Sequence, residues 1–230
     1  MSDRSSARLA IGAGIVFLVV FIVGFAITPS GAPDSNDPAL KVAAYLTDHR
    51  GTLLTSDFLI GVSSIPFLVF VGAMWRMMRR DDEGPLPVIA VAGALVSTAL
   101  LTMAIGIFMT LAYSTPIGDP GLVRTLENAG WITLNVSGFA IALFIGAVSV
   151  SAMMRGFLAS WTAWLGIPVA VAQVVGAAAL SSGDGAMSPQ GTLPFIFAIA
   201  FAAWVLAVCA DLAFAHRTET RAAPTAPAPA

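Results

Sequence analysis

Charged residues are so sparse along the chain that they act as punctuation. Between them lie six uncharged intervals: Leu9–Pro33, Phe58–Trp75, Gly84–Gly118, Asn128–Met154, Gly156–Gly183 and Gly185–Ala210. The shortest holds 18 residues, enough for a helix to cross about 30 Å of hydrocarbon at about 1.5 Å per residue. None alternates apolar with polar positions, so the pattern predicts helices rather than a barrel, since backbone groups in lipid must be satisfied internally. Helix cores are expected near 9–28, 56–76, 88–111, 131–152, 161–180 and 193–213. Arg4 and Arg8 precede the first interval as in a signal peptide, but its apolar run exceeds a usual h-region. It reads as a retained helix.

Composition fits that pattern. The chain of 230 residues is 57% hydrophobic and 10% charged, against about 45–50% and about 25% in soluble proteins, and its mean hydropathy is +0.87. Too little polar surface exists to cover a soluble globule, which excludes a cytosolic enzyme. The expected architecture is an all-α, polytopic membrane protein: one six-helix transmembrane domain over 1–216, then a Pro/Ala-rich tail over 217–230 too poor in core-forming residues to fold. A net charge of −2 offers no basic field, so no nucleic-acid partner is expected. Cys209 is alone, and His49 and His216 both lie outside the apolar intervals. No disulfide framework, haem ligation, metal site or other cofactor is therefore expected.

Orientation follows from lysine and arginine placement. With the N-terminus inside, one side holds Arg4, Arg8, Arg76, Arg79, Arg80, Arg155, Arg217 and Arg221, and the other only Lys41, Arg50 and Arg124. Both termini are thus expected in the cytoplasm. Trp75, Trp161 and Trp164 at inner helix ends, with Tyr113 and Trp131 at outer ends, agree with this; Trp204 reads as a packed core residue. In the outer loop 29–55, Asp37-Pro38 resembles an N-cap followed by proline. It predicts a short helix over Ala39–Asp48 lying on the outer surface.

Helices in lipid associate through small residues and interhelical hydrogen bonds. Gly138, Ala142 and Gly146 form a small-residue strip on the fourth span, where a leucine at Gly146 should push neighbours apart; Gly166 and Ala170 continue such a face on the fifth. Asn135 and Gln173 fall at compatible depths, so they are expected to meet directly or through one water. Two short echoes, Phe70-Val71-Gly72-Ala73 with Phe144-Ile145-Gly146-Ala147 and Pro87-Val88 with Pro168-Val169, suggest a hairpin duplicated in parallel. Asp57, Ser63, Ser64, Thr102, Asn135 and Gln173 share the outer half and outline a candidate polar pocket. Pro66 interrupts the backbone bonding just below the two serines. The competing reading makes Asn135 and Gln173 interhelical glue, contributing about 0.6–2 kcal/mol per hydrogen bond. No ionisable residue falls at the expected midplane, which disfavours proton-driven transport. Protease and zinc motifs fail: Gly61-Val62-Ser63-Ser64 and Ser182-Gly183-Asp184 do not match intramembrane protease patterns. Arg76, Arg79 and Arg80, followed by Asp81, Asp82 and Glu83, read as an orientation signal.

Three stretches together resemble a family of multi-pass membrane proteins common in actinobacteria. They are Tyr45-Leu46-Thr47-Asp48-His49-Arg50-Gly51, the turn Met154–Trp161 and Trp164-Leu165-Gly166. The family is the DUF4386-type domain of unknown function; where it usually has arginine before the Trp of the turn, this chain has Ser160. The resemblance implies a six-helix membrane protein and brings no catalytic or binding residues with it. The expectation is a non-enzymatic structural, accessory or partner-binding unit of a bacterial cytoplasmic membrane, in contact with lipid and with a membrane-protein partner or second copy. The alternative is a small-molecule or lipid transporter using the outer pocket.

Overall fold

The computed structural model describes residues 3–33, 37–79, 84–114, 119–178, 188 and 191–222, with side chains for all of these except 3, 4 and 216–222. The described residues form seven helices and no strand: α1 (Asp3–Ala26), α2 (Ala39–Asp48), α3 (Arg50–Met78), α4 (Leu86–Ser114), α5 (Pro120–Arg155), α6 (Ser160–Ala178) and α7 (Thr192–Ala222). All but the short α2 are long and apolar enough to cross a membrane. α7 continues to Ala222, beyond the tail boundary expected after residue 216. The remaining tail, the Arg80–Glu83 run, the Ser182–Asp184 triplet and the expected end of span five at 180 lie outside the described residues.

The six long helices form a ring in the order α1, α3, α4, α5, α6, α7, with α7 returning to α1. Successive helices alternate in direction. One face therefore carries the start of α1 and the end of α7 (the terminal face), and the other carries α2 (the loop face).

Close backbone approach builds the ring. A Cβ on Gly93 of α4 would lie 2.6 Å from Ala140 O and 2.9 Å from Phe144 N of α5. On Gly138 of α5 it would lie 2.9 Å from Gln173 O of α6, and on Gly166 of α6 it would overlap Ser149 Oγ and approach Trp204 Nε1 to 2.8 Å. Ala142 is buried and Ala170 packs against the core. Gly146 departs from the expectation: nothing lies within 4 Å of a Cβ built there. The strip turns off the interface after Ala142, because residues eight apart on a helix differ by about 80° in direction at about 3.6 residues per turn. Gly72, its echo on α3, is equally open, while Phe70 and Phe144 are both fully buried and meet edge-on at 6.5 Å. The second echo fails, since Pro87 is buried at the start of α4 and Pro168 is exposed in the middle of α6.

Both longer stretches behind the family resemblance are joints. Tyr45 stacks on His49 at 4.7 Å and donates its hydroxyl to Pro29 O at 2.8 Å, and Arg50 lies 4.9 Å above the Tyr113 ring. Burial, then the nearby charge of Glu127, raises the Tyr45 pKa and keeps the hydroxyl a donor. At the turn, Gly156 takes the left-handed conformation (φ 68°) that ends α5. Ala159, which has no side-chain acceptor to cap α6, gives its N–H to Asp211 Oδ2 of α7 at 2.6 Å. The start of α2 also differs from expectation. Pro38 occupies the cap position without a side-chain bond, and Asp37 pairs instead with Lys41 at 2.8 Å. Its apolar face, Val42 and Leu46, packs against Leu111 and Val123 rather than lipid.

Gly93→Val and Gly138→Val should each destabilise the bundle by about 1–3 kcal/mol, because the added atoms meet backbone that cannot move aside. Gly146→Val should stay within about 0.5 kcal/mol. Thermal unfolding in detergent checks this, and equal losses at all three sites would contradict the packing described.

Candidate functional site

The two halves of the ring are filled differently. Towards the terminal face the axis is occupied by Phe70, Met74, Phe144, Ile145, Val148, Trp204 and Val208, all at most 1% exposed. Towards the loop face the helices surround a cavity of about 560 Å³. Aromatic contacts make the floor between them. Phe67 of α3 meets Phe17 of α1 at 5.2 Å, Phe144 of α5 at 5.6 Å and Phe201 of α7 at 5.9 Å. Phe144 in turn meets Trp204 at 6.0 Å, nearly perpendicular. Trp204 is thus a core residue, as its mid-span position implies.

Each long helix supplies a stripe to the cavity wall. Phe17, Phe21 and Phe25 come from α1, and Phe197 and Phe201 from α7; α4 supplies Ser97, Leu101, Ala104 and Phe108. This spacing of three and four is one helical face. The polar groups come mainly from α3 and α5. α3 supplies Ser56, Asp57, Ser63 and Ser64, and α5 supplies Glu127, Trp131 and Asn135.

Five of the six expected pocket residues therefore line one cavity: Asp57, Ser63, Ser64, Asn135 and Gln173. Thr102 does not. It is exposed on the outside of α4 and gives its hydroxyl to Thr98 O at 2.9 Å; its depth is right, but its direction falls off the stripe through Ser97, Leu101 and Ala104. Gln173 is a tie between helices, but not the expected one. Its Nε2 donates to Phe197 O of α7 at 2.7 Å, while Asn135 Nδ2 donates to Trp131 O of its own helix at 2.8 Å.

Glu127 is the residue the sequence reading passes over. It is 6% exposed, lines the cavity and accepts a hydrogen bond from the Trp131 side chain, with the Arg124 charge nearby. The spacing Glu127, Trp131, Asn135, Gly138 already places it on the cavity stripe. Asp57 differs: it has no hydrogen-bond or ion-pair partner among the described residues. Most hydroxyls here serve backbone. Ser56 Oγ donates to Gly24 O at 2.9 Å and Ser63 Oγ to Ile60 O at 2.6 Å. Ser64 Oγ is buried with no partner among the described residues.

Fold and cavity together define a six-helix integral membrane protein with an internal chamber in one half. Comparison with family models, with curated proteins and with solved structures yields no match.

In a Cys209→Ser background, Ser97→Cys should react with a small hydrophilic thiol reagent, and Thr102→Cys, facing lipid one to two turns away, should not. Equal reactivity would place both on the same side of α4 and remove the cavity wall described.

Proposed function

We propose that the protein binds and carries a small, largely apolar molecule held in the loop-face cavity. This places the transporter reading ahead of the structural or partner-binding one. The observation that supports it most is the cavity itself. Ligand sites typically occupy about 300–1,000 Å³, with apolar walls and a few placed polar groups, and a chamber of about 560 Å³ walled by aromatic rings and two carboxylates has that character. A purely structural bundle has no use for an unfilled half, since each missing side-chain contact forfeits packing energy.

Binding rather than catalysis is favoured by the state of the hydroxyls. Ser56 and Ser63 are engaged with backbone carbonyls, and no histidine among the described residues lines the cavity to activate a nucleophile. With both termini in the cytoplasm, as the arginine distribution implies, the chamber occupies the outer half of a bacterial cytoplasmic membrane. Lipid of the outer leaflet is then the nearest reservoir for an apolar ligand. The DUF4386-type resemblance fits this six-helix arrangement and adds no substrate.

The neutral fluorescent probe N-phenyl-1-naphthylamine should bind saturably to protein in nanodiscs of neutral lipid, after subtraction of empty discs. Thr98→Phe combined with Ser137→Phe, both on the cavity wall, should weaken it at least about tenfold, equivalent to about 1.4 kcal/mol, with the unfolding temperature preserved. Absence of saturable binding, or equal binding by the filled variant, would overturn the proposal.

A further inference from the structure

The distribution of charge in the cavity wall says more than its volume does. We infer that the ligand is an organic cation, an amine or quaternary centre carrying aromatic or aliphatic bulk, seated with its charge against Asp57. This rests on the cavity reading above and narrows it to a chemical class.

The wall holds two carboxylates, Asp57 and Glu127, and no lysine, arginine or histidine among its described residues. An anion placed there would meet like charge in the wall, with Arg124 near Glu127 but outside the lining. The two carboxylates are not equivalent. Glu127 already accepts from Trp131 and has Arg124 nearby. Asp57, supplied to the wall by α3, has no partner among the described residues. A carboxylate within a membrane span is costly unless it meets an opposite charge or hydrogen-bond donors, and the described residues offer Asp57 neither.

The surroundings suit the rest of such a ligand. Phe21, Phe25, Phe67 and Phe108 line the chamber, and aromatic faces attract organic cations most strongly where water is excluded. Ser64 lies two turns deeper on the stripe of Asp57, about 10 Å along the helix. Its hydroxyl is buried on the cavity wall without a partner among the described residues, free to meet a second polar atom of the ligand. A neutral apolar molecule would fit the same space but leave Asp57 unanswered. Rejecting an analogue that lacks the matching group is the usual way a buried polar residue sets specificity.

Tetraphenylphosphonium and tetraphenylborate have nearly the same size and shape and opposite charge, so they separate charge from fit. Binding of each is measured by equilibrium dialysis against protein in neutral-lipid nanodiscs, with empty discs subtracted. The phosphonium should bind at least tenfold more tightly than the borate. Asp57→Asn should remove most of that difference, and Asp57→Glu should retain it. Circular dichroism and an unfolding temperature matching wild type should show that Asp57→Asn is folded. If Asp57→Asn does not fold, the wild-type contrast and Asp57→Glu decide the matter.

Equal affinity for the two ions, or a phosphonium preference that survives Asp57→Asn, would overturn the inference. If the neutral probe still binds in either case, the cavity reading stands without its charge selectivity. If neither the ions nor the neutral probe bind, both fall together.

Discussion

Inside a bilayer, a leucine gains nothing by leaving lipid for another helix, because both surroundings are equally apolar. Helices hold together where backbones approach closely and side chains interlock. In this protein that condition is met most fully towards the terminal face. Gly93 and Gly166 bring α4, α5, α6 and α7 to contact distances that no larger residue would allow, and large side chains such as Phe70, Met74 and Trp204 fill the axis between them. Asp211 adds a tie of another kind by capping α6 from α7.

The loop-face half inherits the spacing of the ring without its filling. The Phe17, Phe67, Phe144 and Phe201 rings close the packed half and form the base of the chamber. Above them, α3 supplies Asp57 and α5 supplies Glu127 to the chamber wall. A carboxylate there is tolerated because it looks into a chamber rather than into lipid, the usual setting for ionisable groups within spans. Packing at one end therefore leaves a chamber at the other.

Much of this was legible in the chain. Charge punctuation located all six spans, because a charged side chain at a span centre is unfavourable by several kcal/mol in about any scale. The same rule hid Glu127. Glu127 served only as the boundary of the fourth interval, whereas Asp57, which bounds the second, was also placed in the pocket; α5 in fact begins at Pro120, before both Arg124 and Glu127. Thr102 shows that depth without direction is insufficient: the stripe Ser97, Leu101, Ala104 on the same helix was readable and excludes it. Gly138 and Gly146 share a spacing pattern but not a neighbour, since which helix lies opposite is a tertiary fact. Gln173 was recognisable as a tie between helices, but its acceptor, a backbone carbonyl of α7, carries no sequence signature.

The central claim is that one ring of helices is packed at one end and chambered at the other, and amide hydrogen exchange in nanodiscs measures it most directly. Exchange reports local opening and access of water along each helix. Residues 53–64 of α3 and 127–138 of α5 should exchange faster than residues 67–78 and 141–152 of the same two helices, and a ligand in the chamber should slow the first pair selectively. Uniform protection along both helices, or faster exchange in the segments towards the terminal face, would contradict the account.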